Sequence, residues 1–186
     1  MIGQLPKTLI VSGKDRAIRS DFRVALLIFQ AYADPKLSDE EKTITMLECL
    51  YEEYEEFGQE DYREAIEQGV CFLDGGKRYE EDKEAKKVLD WEQDEQLIFP
   101  AINKVAGYEV RAVDYLHWWT FLGLFNEIGE GLLSTVLHIR VKKSKGKKLE
   151  KHEQEFYRDN KALVDLCIKY SEEDLAEKER LNRLFR

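Results

Sequence analysis

The chain has 186 residues, of which 43% are hydrophobic, 11% aromatic and 36% charged. That length fits one domain with a real core, and the aromatic content is too high for a disordered chain. A formal net charge of -9 and a sequence pI near 5.0 repel nucleic-acid phosphates and anionic lipid headgroups, so neither partner is expected outside a local basic patch.

The N-terminal apolar run is too short for a signal peptide and no later window is long enough to span a bilayer, so a cytoplasmic protein is expected. Residues 7–18 read as a β-hairpin: Thr8 to Val11, a turn over Ser12 to Asp15, then Arg16 to Ile18. Everything after it has helical rhythm. Ser20 is placed to cap a helix with Phe22, Ala25, Leu26 and Phe29 on one stripe, ending before Asp34-Pro35 because the residue before proline leaves the α region. Ser38 and Glu41 form a capping box for a helix burying Ile44, Met46, Leu47 and Leu50. The next helix carries Tyr62, Ala65, Ile66, Val70 and Phe72 and stops at Gly75-Gly76, before a charged linker.

Asp90 is read as the cap of the following helix with Gln93 in the reciprocal position, and Pro100 is expected to kink or break it near Phe99. Asp114 opens "VDYLHWWTFLGLF"; Gly129 and Gly131 separate that stretch from "LLSTVLHIRV". The run from Arg140 to Lys151, "RVKKSKGKKLEK", reads as a mobile solvated connection, with a weak anion or acidic-partner contact as its functional alternative. Beyond it Phe156, Leu163, Leu166, Cys167 and Tyr170 fall close to a 3.5 repeat, and Ser171 with Asp174 recaps a last charged helix. The expected architecture is mainly α: one compact domain over residues 1–170 with about six to eight helices and the short hairpin, then a charged helix or tail over 171–186.

The chemistry-bearing residues are sparse. Cys49, Cys71 and Cys167 have no metal or disulfide spacing and read as buried thiols. His117, His138 and His152 lack any His-x-x-x-His pattern. Glu52, Glu53 and Glu56 make a Glu-Glu-x-x-Glu pattern similar to the magnesium motif of all-helical nucleotide pyrophosphohydrolases, without the second acidic motif that chemistry needs. No catalytic residue, cofactor site or metal site is therefore assigned, and a non-catalytic protein is expected. On a helix, Tyr115, Trp118, Trp119, Leu122 and Phe125 would share one face while Leu116, His117, Phe121, Leu124 and Ile128 fill the rest. A helix apolar all round is buried. Trp91 and residues 115–119 with Phe121 are thus read as core, with His117 neutral and hydrogen-bonded to Asp114 or a backbone carbonyl.

The segment Trp91-Glu92-Gln93-Asp94 ahead of Tyr115-Leu116-His117-Trp118-Trp119, with "IRSDFRVAL" and "LSDEEK" upstream, resembles the bacteriophage "gene product fifteen" family of tail-gene modules in siphophages and Gram-positive prophages. The resemblance implies a tail assembly chaperone that binds the tape-measure protein in the host cytoplasm and self-associates, or else a minor structural protein of the tail. Tyr51, Tyr54 and Phe57, which lie among acidic residues, and the C-terminal amphipathic helix are the candidate partner surfaces.

Overall fold

A computed structural model describes residues 3–77 and 87–167, together with Arg180 and Arg183. The 78–86 part of the expected linker and nearly all of the expected last helix lie outside the described residues. β1 (Thr8–Val11) and β2 (Lys14–Ala17) pair antiparallel, with Thr8 opposite Ala17 and Val11 opposite Lys14. Ser12 (φ 50°) and Gly13 (φ 73°) alone make the turn. Two left-handed residues give the backbone twist that matches paired strands, so Lys14 and Asp15 belong to β2 rather than to a four-residue turn.

Eight α-helices follow among the described residues: α1 (Phe22–Tyr32), α2 (Asp39–Leu50), α3 (Tyr62–Leu73), α4 (Glu95–Ala106), α5 (Trp118–Asn126), α6 (Leu132–Ser144), α7 (Lys151–Asp159) and α8 (Lys161–Val164). The mainly α fold with a hairpin is as expected. The capping box of α2 is present, with Ser38 Oγ accepting from the Glu41 N–H at 3.2 Å and the Glu41 carboxylate accepting from the Ser38 N–H at 2.8 Å. Gly75 and Gly76 end α3 in the left-handed region, as a side chain there would resist.

Contacts run in a chain through the molecule: the hairpin lies on α3, α3 on α2, α2 on α1, α1 on α5, α5 on α4, α4 on α6, and α6 on α8. The core follows that line, from Met46 and Phe72 through Phe22 and Trp118 to Ile102 and Ile139.

Several local expectations change. Asp21, not Ser20, caps α1, because its carboxylate accepts from the Arg23 N–H at 3.0 Å while the Ser20 hydroxyl is engaged by Tyr115 at 2.8 Å. Ile44 and Val70 point to solvent, and Leu26 and Phe29 are only partly buried. Asp90 caps a turn through bonds from the Glu92 and Gln93 N–H groups, and the helix proper starts at Glu95. α4 is not broken at Pro100 but stays helical from Glu95 to Ala106: this proline and Gln96 lie on the exposed side, while Leu97, Ile98, Phe99 and Ile102 hold the helix to the core. Cys49 and Cys71 are half-buried and Cys167 is exposed, so none is a core thiol. Among residues 161–167 it is Val164 that is buried, because a short helix and an extended stretch replace the long helix expected there.

Helices α2 and α3 approach most closely at Gly69, where an added Cβ would stand 2.8 Å from Met46 Sδ and 3.2 Å from Leu50 Cδ2. Helix propensity alone favours alanine there by about 1 kcal/mol. Both neighbours are buried, so packing wins: Gly69→Ala is expected to destabilise the fold by about 1–3 kcal/mol in a urea melt. A rise in stability would show that α2 and α3 can separate freely.

Candidate functional site

Helix α5 opens at Trp118, three residues later than the apolar periodicity suggests, because the residues ahead of it pair with the start of α1. The Phe22 N–H donates to Leu116 O at 2.9 Å, the Trp118 N–H to Ser20 O at 2.8 Å, and the Leu116 N–H to the Asp21 carboxylate at 3.0 Å. Tyr115, Leu116 and His117 are therefore extended, and their side chains do not follow a helical wheel. Leu116, His117, Trp118 and Phe121 are buried as expected, whereas Trp91 and Trp119 are partly buried. Tyr115 is 48% exposed, which removes it from the core. Its hydroxyl meets Ser20 and Lys7 lies over its ring at 5.7 Å.

His117 is the N-cap of α5. Its Nδ1 accepts from the Trp119 N–H at 3.0 Å, so the ring proton sits on Nε2 and is donated to Pro6 O at 2.9 Å. The bond is to a backbone carbonyl and not to Asp114. Burial, joined by the Lys7 charge and opposed by the Pro6 carbonyl, holds its pKa below the ordinary value of 6.5. The tryptophans behind it act at the far end of another helix. Trp118 Nε1 donates to Leu73 O and Trp119 Nε1 to Phe72 O, each at 2.8 Å; at the C-terminus of α3 the first supplies Leu73 O with a donor and the second adds to the Gly75 N–H bond that Phe72 O already accepts at 3.1 Å. Phe22 stacks on Phe121 at 4.6 Å and Phe121 on Trp118 at 5.7 Å, with Trp91 against Phe125 at 5.1 Å.

The expected partner surface is largely internal. Tyr51 is 1% exposed, its hydroxyl donates to Ala65 O at 2.8 Å, and burial raises its pKa. Phe57 is buried beneath the Arg16 guanidinium at 5.0 Å, and only Tyr54 keeps a partly open ring. Glu52 and Glu53 lie in a turn and Glu56 in a 3-10 turn, where it pairs with Arg16 at 3.4 Å. Glu53 and Glu56 span a single 3-10 turn, closed by the Glu56 N–H on Glu53 O at 3.2 Å, and no group of three metal-binding side chains assembles among the described residues.

The strongest polar constellation is one that the sequence reading passed over. Arg140, taken for the start of a solvated lysine run, sits on the buried side of α6, and Asp94 meets it in a two-bond pair at 2.6 and 2.8 Å. The remaining donors go to Val88 O at 3.0 Å, Leu163 O at 3.0 Å and Val164 O at 2.7 Å, so all five guanidinium N–H groups are used. Beside it Gln93 donates to Asp165 O at 2.9 Å and accepts from the Cys167 N–H at 2.8 Å. Lys142 and Lys143 are tied down as well, by Glu153 and Asp165. The signal was present: Leu133, Val136 and Arg140 keep a helical 3–4 spacing, which places the arginine on the apolar side.

Two open grooves flank α4. One of about 420 Å³ runs between α4 and the α5–α6 turn, lined by Leu97, Ala101, Val105, Ile128, Leu132 and Leu133 among others. The second, of about 580 Å³, lies between α1 and the start of α4, over Phe22, Leu26, Leu27, Trp91 and Phe99.

Residues 1–166 match the family model described as Bacteriophage Gp15 protein. The chain belongs to that family. No curated protein and no solved structure gives a match. The Gp15 match extends through the hairpin, all eight helices and the carbonyls clamped by Arg140, so both the tryptophan helix and the ion pair lie inside the region common to this phage family. No helix of the described residues is long and apolar enough to cross a membrane.

Two measurements test this geometry. In the native protein His117 takes up a proton less readily than in the unfolded chain, so unfolding binds protons and stability falls as pH drops below about 6.5. His117→Asn keeps an N-cap acceptor and an N–H donor without titrating, and its denaturation midpoint should lose part of the parent's decline between neutral and mildly acidic pH. An unchanged decline would place the pH sensitivity elsewhere. Asp94→Asn leaves the Arg140 charge buried and uncompensated and should cost about 3–5 kcal/mol in urea denaturation, whereas the double replacement Asp94→Leu with Arg140→Met should cost less than the sum of the single changes.

Proposed function

We propose that this Gp15 family member acts without catalysis as a tail assembly chaperone, holding tape-measure segments before the tail tube closes around them, and that it works as an oligomer. The observation that carries the reading is the pair of open grooves on either side of α4. Leu27 on one and Leu132 with Val105 on the other are exposed apolar side chains, a pattern that marks recognition surfaces. A tape-measure protein is a long helical chain that must stay soluble before it is coated. An acidic exterior of net charge -9 around apolar grooves suits that task, since the charge keeps a complex dispersed while the grooves take the apolar stripe.

The reading predicts that co-expression with the tape-measure protein of the same phage keeps that protein in the soluble fraction, and that mass spectrometry of finished particles does not find this chain. Stoichiometric amounts in purified virions would make it a structural part of the tail instead. A magnesium-dependent nucleotide turnover that disappears when Glu52, Glu53 and Glu56 are changed to Gln would make it an enzyme.

A further inference from the structure

The groove between α4 and the α5–α6 turn has a direction. Leu97, Ala101 and Val105 stand four residues apart on α4, so its apolar wall is one ridge along the helix, about 12 Å from first to last side chain. Ile128, Leu132 and Leu133 form the facing wall, and Leu132 is 51% exposed although it is one of the largest apolar side chains there. A cleft of this length takes a row of side chains spaced along a helix rather than one small compact molecule.

The two lips carry opposite charge. On the α5–α6 side Glu127 and Glu130 are exposed and make no ion pair with another described residue. Glu127 is also the C-cap of α5, where the helix end already concentrates partial negative charge, so a cation placed there meets two favourable fields. On the α4 side Lys104 is exposed and likewise makes no ion pair with another described residue. Pro100 lies one turn before Lys104 and has no N–H for the Gln96 carbonyl, which leaves an acceptor at the same lip. Gly129 and Gly131 have open space where a side chain would stand, so the acidic lip is low and a partner backbone can come close.

We propose that this groove seats one amphipathic helix of the partner, with apolar anchors one turn apart in the cleft, lysine or arginine toward Glu127 and Glu130, and an acidic residue toward Lys104. The occupant's charge pattern fixes its orientation as well as its position. This rests on the chaperone reading, with the tape-measure protein as the source of the helix.

The test uses the full chain and the tape-measure protein of the same phage, by co-purification and by surface binding at two salt concentrations. Leu132→Glu, and Glu127→Lys combined with Glu130→Lys, should each weaken binding by on the order of tenfold or more, and the charge reversal should also flatten the salt dependence. Leu27→Glu, in the groove on the other side of α4, should bind like the parent. All of these side chains are exposed, so unchanged thermal midpoints are expected and separate lost binding from lost folding. If the parent binds and both groove variants bind equally well, or if Leu27→Glu alone loses the partner, this groove is not the seat while the chaperone reading stands. If the parent does not bind, both fall.

Discussion

Arg140 and Asp94 form the buried ionic centre at which four separate parts of the chain meet, with Gln93 and Lys143 reinforcing it at Asp165. The guanidinium touches residue 88 ahead of α4, residue 94 at its start, and residues 163 and 164 at the end of α8, all from a position on α6. Desolvating two such ions costs several kcal/mol each, against a Coulomb attraction of about 4 kcal/mol for a pair at an effective dielectric near 20. The account balances only because every donor of Arg140 is used and the Asp94 carboxylate also accepts from the Asp90 N–H at 3.0 Å. An apolar pair of the same volume would fill the space as well, but it would leave the carbonyls of Val88, Leu163 and Val164 without donors. The ion pair thus sets where segments go more than how firmly the whole is held.

A second constraint works at the opposite side of α5. His117, Trp118 and Trp119 are consecutive, yet each serves a different segment: the histidine holds the chain before β1 through Pro6, and the two indoles close the C-terminus of α3 through Leu73 and Phe72. Their rings meanwhile pack on Phe72, Phe29 and Phe121. Large apolar area and polar closure come from the same side chains, which is the use tryptophan has over phenylalanine at such a place. α5 is short, only Trp118 to Asn126, but it is the piece on which the N-terminal half and α4 both rest.

Local chemistry was legible in the sequence; placement across long separations was not. The Ser38–Glu41 box, the stop at Gly75-Gly76 and the hairpin depend on neighbours a few residues apart, and they stand where pattern puts them. The N-terminal limit of α5 depends on pairing with residues 20–22, about a hundred positions earlier, and a helical wheel extends through Tyr115 because nothing local forbids it. Tyr51 reads as a surface aromatic among glutamates, yet its hydroxyl finds Ala65 O and the ring goes inward. Charge density misleads at Arg140 in the same way, since of the five lysines that follow it only Lys145, Lys147 and Lys148 lie beyond α6, and they describe the turn and not the arginine. Aromatic and charged side chains are the ones whose burial depends most on a partner that sequence spacing cannot show.

Those two constraints together hold α4 from its inner side and leave its outer side open. Phe99 packs on Phe22 and Phe121, Ile102 is fully buried, and Asp94 ties the start of the helix to α6. Its outer side keeps Gln96, Pro100 and Lys104 in solvent, with a groove along each flank. A proline in the middle would weaken a helix that had to stand alone, by about 3 kcal/mol. Here the inward residues hold the helix, and the proline's effect is confined to the exposed lip of one groove. The ridge between the two clefts owes its placement to the packing of Phe99 on Phe22 and Phe121 and to the buried ion pair rather than to anything in the grooves themselves.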